Sequence, residues 1–167
     1  MSLKIEESRL VVRKATPEDA SKLLNLICAL ADFEKLPRPD EAAQQRLIDH
    51  GFGPQPKFEV SLAEVDGQAV GYTISFETYS SFLALPTFYL EDLFVLPEYR
   101  KFGIGQALFK NCVKEALRRG CGRMEWSVLD WNENAINFYE RMGAKRLSEW
   151  LSYRLTQEDM VRLTAEA

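Results

Sequence analysis

Residues 88–106, FYLEDLFVLPEYRKFGIGQ, pass from an apolar run through a basic, glycine-bearing turn into a helical pattern. Phe88, Leu90, Leu93, Phe94 and Val95 have the bulk of strand residues, and Pro97 breaks the run. Beyond the turn, Ile104, Ala107, Leu108, Val113, Ala116 and Leu117 recur at helical spacing, so Gly103 and Gly105 stand where the chain starts a helix. Amides that begin a helix lack intrahelical acceptors, the helix start carries partial positive charge, and Arg100 and Lys101 add full charges. Such a turn fits a phosphate or pyrophosphate. Two glycines there serve equally well simply to make the turn. The stretch is not a P-loop, since no Gly-Lys-Ser/Thr follows, and it lacks the third glycine of a dinucleotide fingerprint.

Working outward, 167 residues with 46% hydrophobic content suffice for one domain with a substantial core, and the whole chain, 1–167, is expected to form it. The net charge of −4 argues against a nucleic-acid partner. Lys110, Lys114, Arg118, Arg119 and Arg123 nevertheless make the helix after the turn locally basic, either as a solvated face or as an attraction for an anionic cofactor. No apolar run approaches a membrane span and no signal pattern opens the chain, so a cytoplasmic protein without a membrane partner is expected. Met1-Ser2-Leu3 reads as an expression-vector remnant.

Cys28, Cys112 and Cys121 lack metal-type spacing, and Cys28 and Cys112 fall on apolar stripes as core thiols. His50 is the single histidine and adjoins Gly51 at an expected helix end, which leaves no His-rich metal site and few Ser/His or Cys/His schemes. No metal is expected.

The remaining pattern predicts a strand over 10–14, a helix from the Thr16-Pro17-Glu18-Asp19 start to 33–36, and a helix over 40–50 stopped by Gly51. The buried stripe of the first helix is read as Ala20, Leu23, Leu24, Ile27, Leu30 and Ala31. Strands over 58–65 and 69–78 flank Asp66-Gly67, a strong hairpin signal. A loop over 79–87 carries Phe82, Leu83 and Leu85 as a lid or partner contact. A strand over 124–129, a helix over 134–142 closed by Gly143, a strand over 150–155 and a helix from Thr156 complete the chain.

A second cluster follows the turn, DWNENAINFYERMGA at 130–144. With YLEDLFV and PEYRKFGIG, it resembles the GCN5-related N-acetyltransferases, and within them the diamine acetyltransferase branch that includes spermidine/spermine and thialysine enzymes. Weaker similarity runs from Arg13 almost to the C-terminus, including Asp32-Phe33-Glu34 and Asp49-His50-Gly51-Phe52-Gly53.

The resemblance implies an α/β fold of the α+β kind: a mixed, mostly antiparallel sheet with splayed central strands, flanked by helices. It implies acetyl-CoA as cosubstrate, held by Leu93, Phe94 and Val95 along pantetheine and by Arg100, Lys101, Phe102, Gly103, Ile104, Gly105 and Gln106 at the pyrophosphate. Asn132, Glu133, Asn134 and Ala135 also meet the cofactor, and Tyr139 lies beside its sulfur. Phe33, Glu34, Glu91, Asp92, Glu125, Trp126 and Ser127 fall where the family meets its acceptor.

The chemistry accords with these types. An alkyl ammonium of pKa about 10.4 must lose a proton before attacking a thioester, and Glu91 is the candidate base, with Asp92 holding the amine. Tyr139 can donate to the leaving thiolate, and a backbone N–H near Phe94 can meet the oxyanion. Read without the family pattern, Tyr139 is more often a core residue with a satisfied hydroxyl, Glu91 and Asp92 a polar strand end, Glu34 a solvated helix residue, and Asn132 and Asn134 helix caps.

Polyamine-specific relatives carry an aspartate where this chain has Ser80, and paired glutamates where only Glu149 remains. The expected activity is therefore direct, ternary-complex acetyl transfer to a small primary amine, in a homodimer by family analogy. Acetylation of protein N-termini or lysines, and a non-catalytic acyl-CoA-binding module, are the alternatives.

Overall fold

The computed structural model describes residues 9–165. Met1-Ser2-Leu3 and the chain start scanned for a signal pattern lie outside the described residues. The chain divides after Ser127 into two compact units.

The first unit is a five-stranded sheet in the order β1-β2-β3-β4-β5. Its strands are β1 (Leu10–Lys14), β2 (Glu59–Val65), β3 (Gln68–Ser80), β4 (Leu85–Val95) and β5 (Arg123–Glu125). Its helices are α1 (Ala20–Glu34), α2 (Glu41–Phe52) and α3 (Ile104–Arg118). The first four strands pair antiparallel, and β5 joins β4 in parallel. This is the mixed, mostly antiparallel sheet the resemblance implies.

Strand alternation divides the core into two layers. Val60 and Leu62 of β2 face one side with Tyr72, Ile74 and Phe94, packed by Leu23 and Leu26 of α1. Ala63 and Val65 face the other side with Val70 and Val95, packed by Ile104 and Leu108 of α3. Burying a leucine such as Leu23, 1% exposed, contributes about 2 kcal/mol. The α1 seam turns further toward Leu26 than its expected stripe, and on α3 Leu117 is exposed while Cys112 and Phe109 are buried.

Local signals explain the connections. Asp66 and Gly67 both take positive φ, 51° and 80°, the pair a tight β2–β3 turn requires. Asp40 caps α2 by accepting from the Ala43 amide at 2.8 Å. Gly51 does not stop α2, which runs on to Phe52. A Cβ at Gly51 would lie 2.8 Å from the Phe58 ring, so this glycine admits an aromatic side chain. Asp19, buried beneath the start of α1, accepts from both terminal nitrogens of Arg13 at 2.7 and 2.9 Å, and Arg13 also binds Glu64 at 2.7 Å.

The expected lid over 79–87 is mostly ladder. β3 and β4 stay paired to Ser80 opposite Leu85, leaving a turn at 81–84. The buried Ser80 hydroxyl accepts from the Leu83 amide at 3.2 Å, and Phe82 is 99% exposed. The expected strand over 124–129 contracts to β5, whose pairing stops at Tyr89 opposite Glu125.

The second unit contains α4 (Glu133–Arg141) and α5 (Gln157–Ala165). Asn132 caps α4, accepting from the Ala135 amide at 3.3 Å, and Gly143 closes it with φ 91°. The strand expected over 150–155 does not form among the described residues. Apolar bulk favours a strand only where a neighbour offers a ladder. Here Trp150, Leu151 and Tyr153 are exposed, Tyr153 to 92%.

Candidate active site

β4 carries the site because of one extra residue. Ile74 pairs with Asp92 while the next residue, Ser75, pairs with Leu90, so Glu91 has no partner and forms a bulge. In a regular strand adjacent side chains point to opposite faces. The bulge lets Glu91 and Asp92 line the same cleft, of about 420 Å³, with Ile74 and Phe76. It also bends β4, and among the described residues no strand pairs with the β5-side edge of β4 beyond Tyr89. That open edge is the splay the resemblance implies, and it leaves Leu93, Phe94 and Val95 paired on one side only, with β3.

Three acids converge there. Burial pushes the Asp92 carboxyl up to about 6, and the charges of Glu91 and Glu34 push in the same direction. The Tyr72 hydroxyl donates to Asp92 Oδ2 at 3.1 Å and partly opposes that rise. Burial first, and then the Asp92 charge, push the Tyr72 phenol far up, so it stays protonated as a donor. Tyr72 is absent from the expected site because its alternation with Val70, Ile74 and Phe76 marks it as core, which it also is, at 0% exposure. The signal that finds it is the cross-strand register.

The glycine turn folds as its composition dictates. Lys101 and Gly103 take positive φ, 69° and 84°, and a Cβ on Gly103 would meet nothing within 4 Å. The first bond of the α3 ladder runs from the Ala107 amide to the Gly103 carbonyl at 3.0 Å, so the Ile104 and Gly105 amides precede the ladder. A 15-residue helix behind an open, glycine-lined turn fits the pyrophosphate of acetyl-CoA. Ile104 can offer only its backbone, since its side chain is 1% exposed.

Arg100 is engaged on the β4 side. Its Nε donates to the Val95 carbonyl at 2.9 Å, and its guanidinium lies 4.5 Å from the Phe33 ring centre and 5.4 Å from that of Phe94. Burial lowers its pKa. Phe102 packs on the α3-side core, while Lys101 and Gln106 are exposed. Of the basic residues read into α3, Arg118 pairs with Glu115 and Arg119, just past its end, with Glu115 and Glu59, while Arg123 belongs to β5 and pairs with Glu125.

Other expected site residues are more scattered. Glu125 ends β5 paired to Arg123 at 2.9 Å, Trp126 meets Phe109 edge to face at 5.4 Å, and Ser127 is exposed. In the second unit, Asn132 is the α4 cap, Glu133, Asn134 and Ala135 form its first turn, and half-buried Tyr139 stacks edge-on with Phe138 at 5.3 Å. No cluster of histidine, cysteine and carboxylate fit for a metal occurs among the described residues. No helix among them is long and apolar enough to cross a membrane.

A mixed sheet, a glycine-bearing helix start after β4 and an acidic cleft beside the open edge of β4 are the parts the resemblance leads one to expect of an acyltransferase. Residues 23–144 match the model of the acetyltransferase (GNAT) family. The chain belongs to that family and is an enzyme of the N-acetyltransferase class. It is 36% identical to a thialysine N-epsilon-acetyltransferase of Mus musculus, over 91% of this chain and 95% of the relative. It is 33% identical to an L-ornithine N5-acetyltransferase of Arabidopsis thaliana, over 87% and 83%. In fold it is similar to an integron cassette protein from the V. cholerae mobile metagenome, with TM-score 0.79 at 21% identity over 93% of this chain and 98% of the other.

Proposed function

We propose that the protein transfers acetyl from acetyl-CoA to a primary amine of a small cationic acceptor, a diamine, polyamine or lysine analogue, by direct transfer in a ternary complex. The observation that carries this reading is the bulge at Glu91, which turns two carboxylates into one cleft beside the open edge of β4. Acetyl-CoA supplies the activated thioester, with pantetheine along Leu93, Phe94 and Val95 and its phosphates at the turn from Arg100 to Gln106. Asn132, Glu133, Asn134 and Ala135 complete the cofactor contacts.

The amine arrives protonated and is drawn to Glu34, Glu91 and Asp92. Glu91 takes its proton, and Asp92, whose carboxyl titrates near 6, shares the load at neutral pH. The freed nitrogen bonds to the thioester carbonyl carbon, the C–S bond of the tetrahedral intermediate breaks, and the second proton lost by the nitrogen passes through solvent to the departing thiolate, leaving the acetylated amine and CoA thiol. Tyr139 stabilises that thiolate. Full proton transfer from it is uphill by about 2 kcal/mol, since ordinary phenol and thiol pKa values are roughly 10 and 8.5. A backbone N–H near Phe94 meets the oxyanion. Phe33, Glu125, Trp126 and Ser127 border the acceptor.

The whole chain works as one catalytic domain, as a homodimer in the cytoplasm, without metal, nucleic acid or membrane. Light scattering should give twice the chain mass. Release of CoA thiol, followed with a panel of diamines, polyamines and lysine analogues, tests the reaction. Glu91→Gln and Tyr139→Phe should each lower kcat at least about 100-fold. Full activity in both variants would overturn the role assignments.

A further inference from the structure

The cleft that holds Glu91 and Asp92 has a second, oppositely charged rim. His50, near the end of α2, and Lys57, just before β2, line it too. The Lys57 amide donates to the His50 carbonyl at 2.8 Å, which holds the two residues together. Arg13, Arg38 and Arg119 each have carboxylate partners, but no ion pair engages Lys57 among the described residues. Lys57 and His50 are exposed, so both can meet a ligand.

Lys57 lies two residues ahead of β2. Within the ladder Val60 pairs with Ile74 and Ile74 with Asp92, so β2 and the bulge lie two strand spacings apart, about 10 Å, and Lys57 stands further out along the strand direction. The floor between them is Ile74, Phe76 and Phe58, apolar surface suited to methylenes. A lysine-length acceptor spans about 7 Å from side-chain nitrogen to carboxylate when extended. The flexible Lys57 side chain closes the remainder.

We propose that Lys57, with His50 beside it, reads a carboxylate at the far end of the acceptor, making the cleft selective for an amino acid with a side-chain amine over the diamine of equal length. The inference rests on the N-acetyltransferase reading above and adds a specificity-determining subsite to it. The same cation discriminates in both directions. It attracts a carboxylate and repels the second ammonium of a diamine or polyamine.

L-Lysine and cadaverine form the matched probe pair, differing only in the carboxylate. Wild-type kcat/KM should favour lysine. Lys57→Ala should reduce the lysine-to-cadaverine ratio about tenfold, through KM for lysine more than kcat. Lys57→Glu should reduce it further by raising kcat/KM for cadaverine, and Lys57→Arg should retain the wild-type ratio. An unchanged ratio in Lys57→Ala and Lys57→Glu, with both amines acetylated, would overturn the subsite and leave the N-acetyltransferase reading intact. Failure to acetylate either probe or any other small amine would overturn both.

Discussion

Replacing Asp92 by asparagine should make the protein more stable at neutral pH while disabling it. Burial raises the Asp92 carboxyl from an ordinary 3.8 to about 6, so ionising it in the folded state costs about 3 kcal/mol more than in the unfolded chain. The folded state therefore binds a proton more tightly. Any stability linked to that proton is fully present below about pH 4 and is lost as pH rises through about 6. Asparagine keeps an oxygen for the Tyr72 hydroxyl, which donates to Asp92 at 3.1 Å, and cannot ionise. Urea unfolding of both proteins at pH 4 and pH 7.5 should show near-equal stabilities at the lower pH and an advantage of about 2 to 3 kcal/mol for Asp92→Asn at the higher. The variant should also lose at least about 100-fold in kcat, and wild-type kcat/KM should fall as pH drops through about 6. A stability difference that does not change between the two pH values would refute the placement of a desolvated carboxylate in this cleft.

Gly103→Ala should lower stability by about 1 kcal/mol through backbone conformation alone, because φ is 84° and no atom obstructs a Cβ. Thermal melting checks this, and calorimetry should show weaker CoA binding as the helix-start amides lose their aim. Arg13→Ala should cost about 2 kcal/mol, below the figure for a fully buried pair because the Arg13 side chain is 33% exposed. Its guanidinium holds Asp19 and Glu64 below the usual carboxylate range. The stability they supply is present above their ordinary pKa values and lost as pH falls. The difference between wild type and variant, followed by urea unfolding, should shrink from about pH 5 downward.

The strand, turn and helix around residues 88–106 were legible because each uses residues with few other homes: apolar bulk for β4, Pro97 as a stop, and Gly103 at a positive φ. The Asp66-Gly67 hairpin and the Asn132 cap were legible for the same local reason. What escaped was set by pairing between distant segments. A bulge at Glu91 depends on which β3 residue sits opposite, and nothing in Glu-Asp itself announces a skipped partner. The Tyr72 hydroxyl reaches Asp92 across 20 positions of sequence. Strand-like composition at 150–155 could not reveal that no ladder receives it among the described residues, nor could 79–87 show that its ends continue a hairpin. Arg100 looks like a simple phosphate-facing charge until its Nε is found on the Val95 carbonyl.

The unpaired Glu91 also stands outside the phase of the strand that carries it. Leu90 lies opposite Ser75 and Asp92 opposite Ile74, consecutive residues of β3 whose side chains take opposite faces, so the ladder on either side of Glu91 already alternates regularly without it. Were this one residue removed, Phe94 would stay in the α1 layer and Val95 in the α3 layer. What would go is the second carboxylate of the cleft and the bend that aims it. The extra residue is thus an attachment to the framework, a place where chemistry can be added or withdrawn while the core keeps its register.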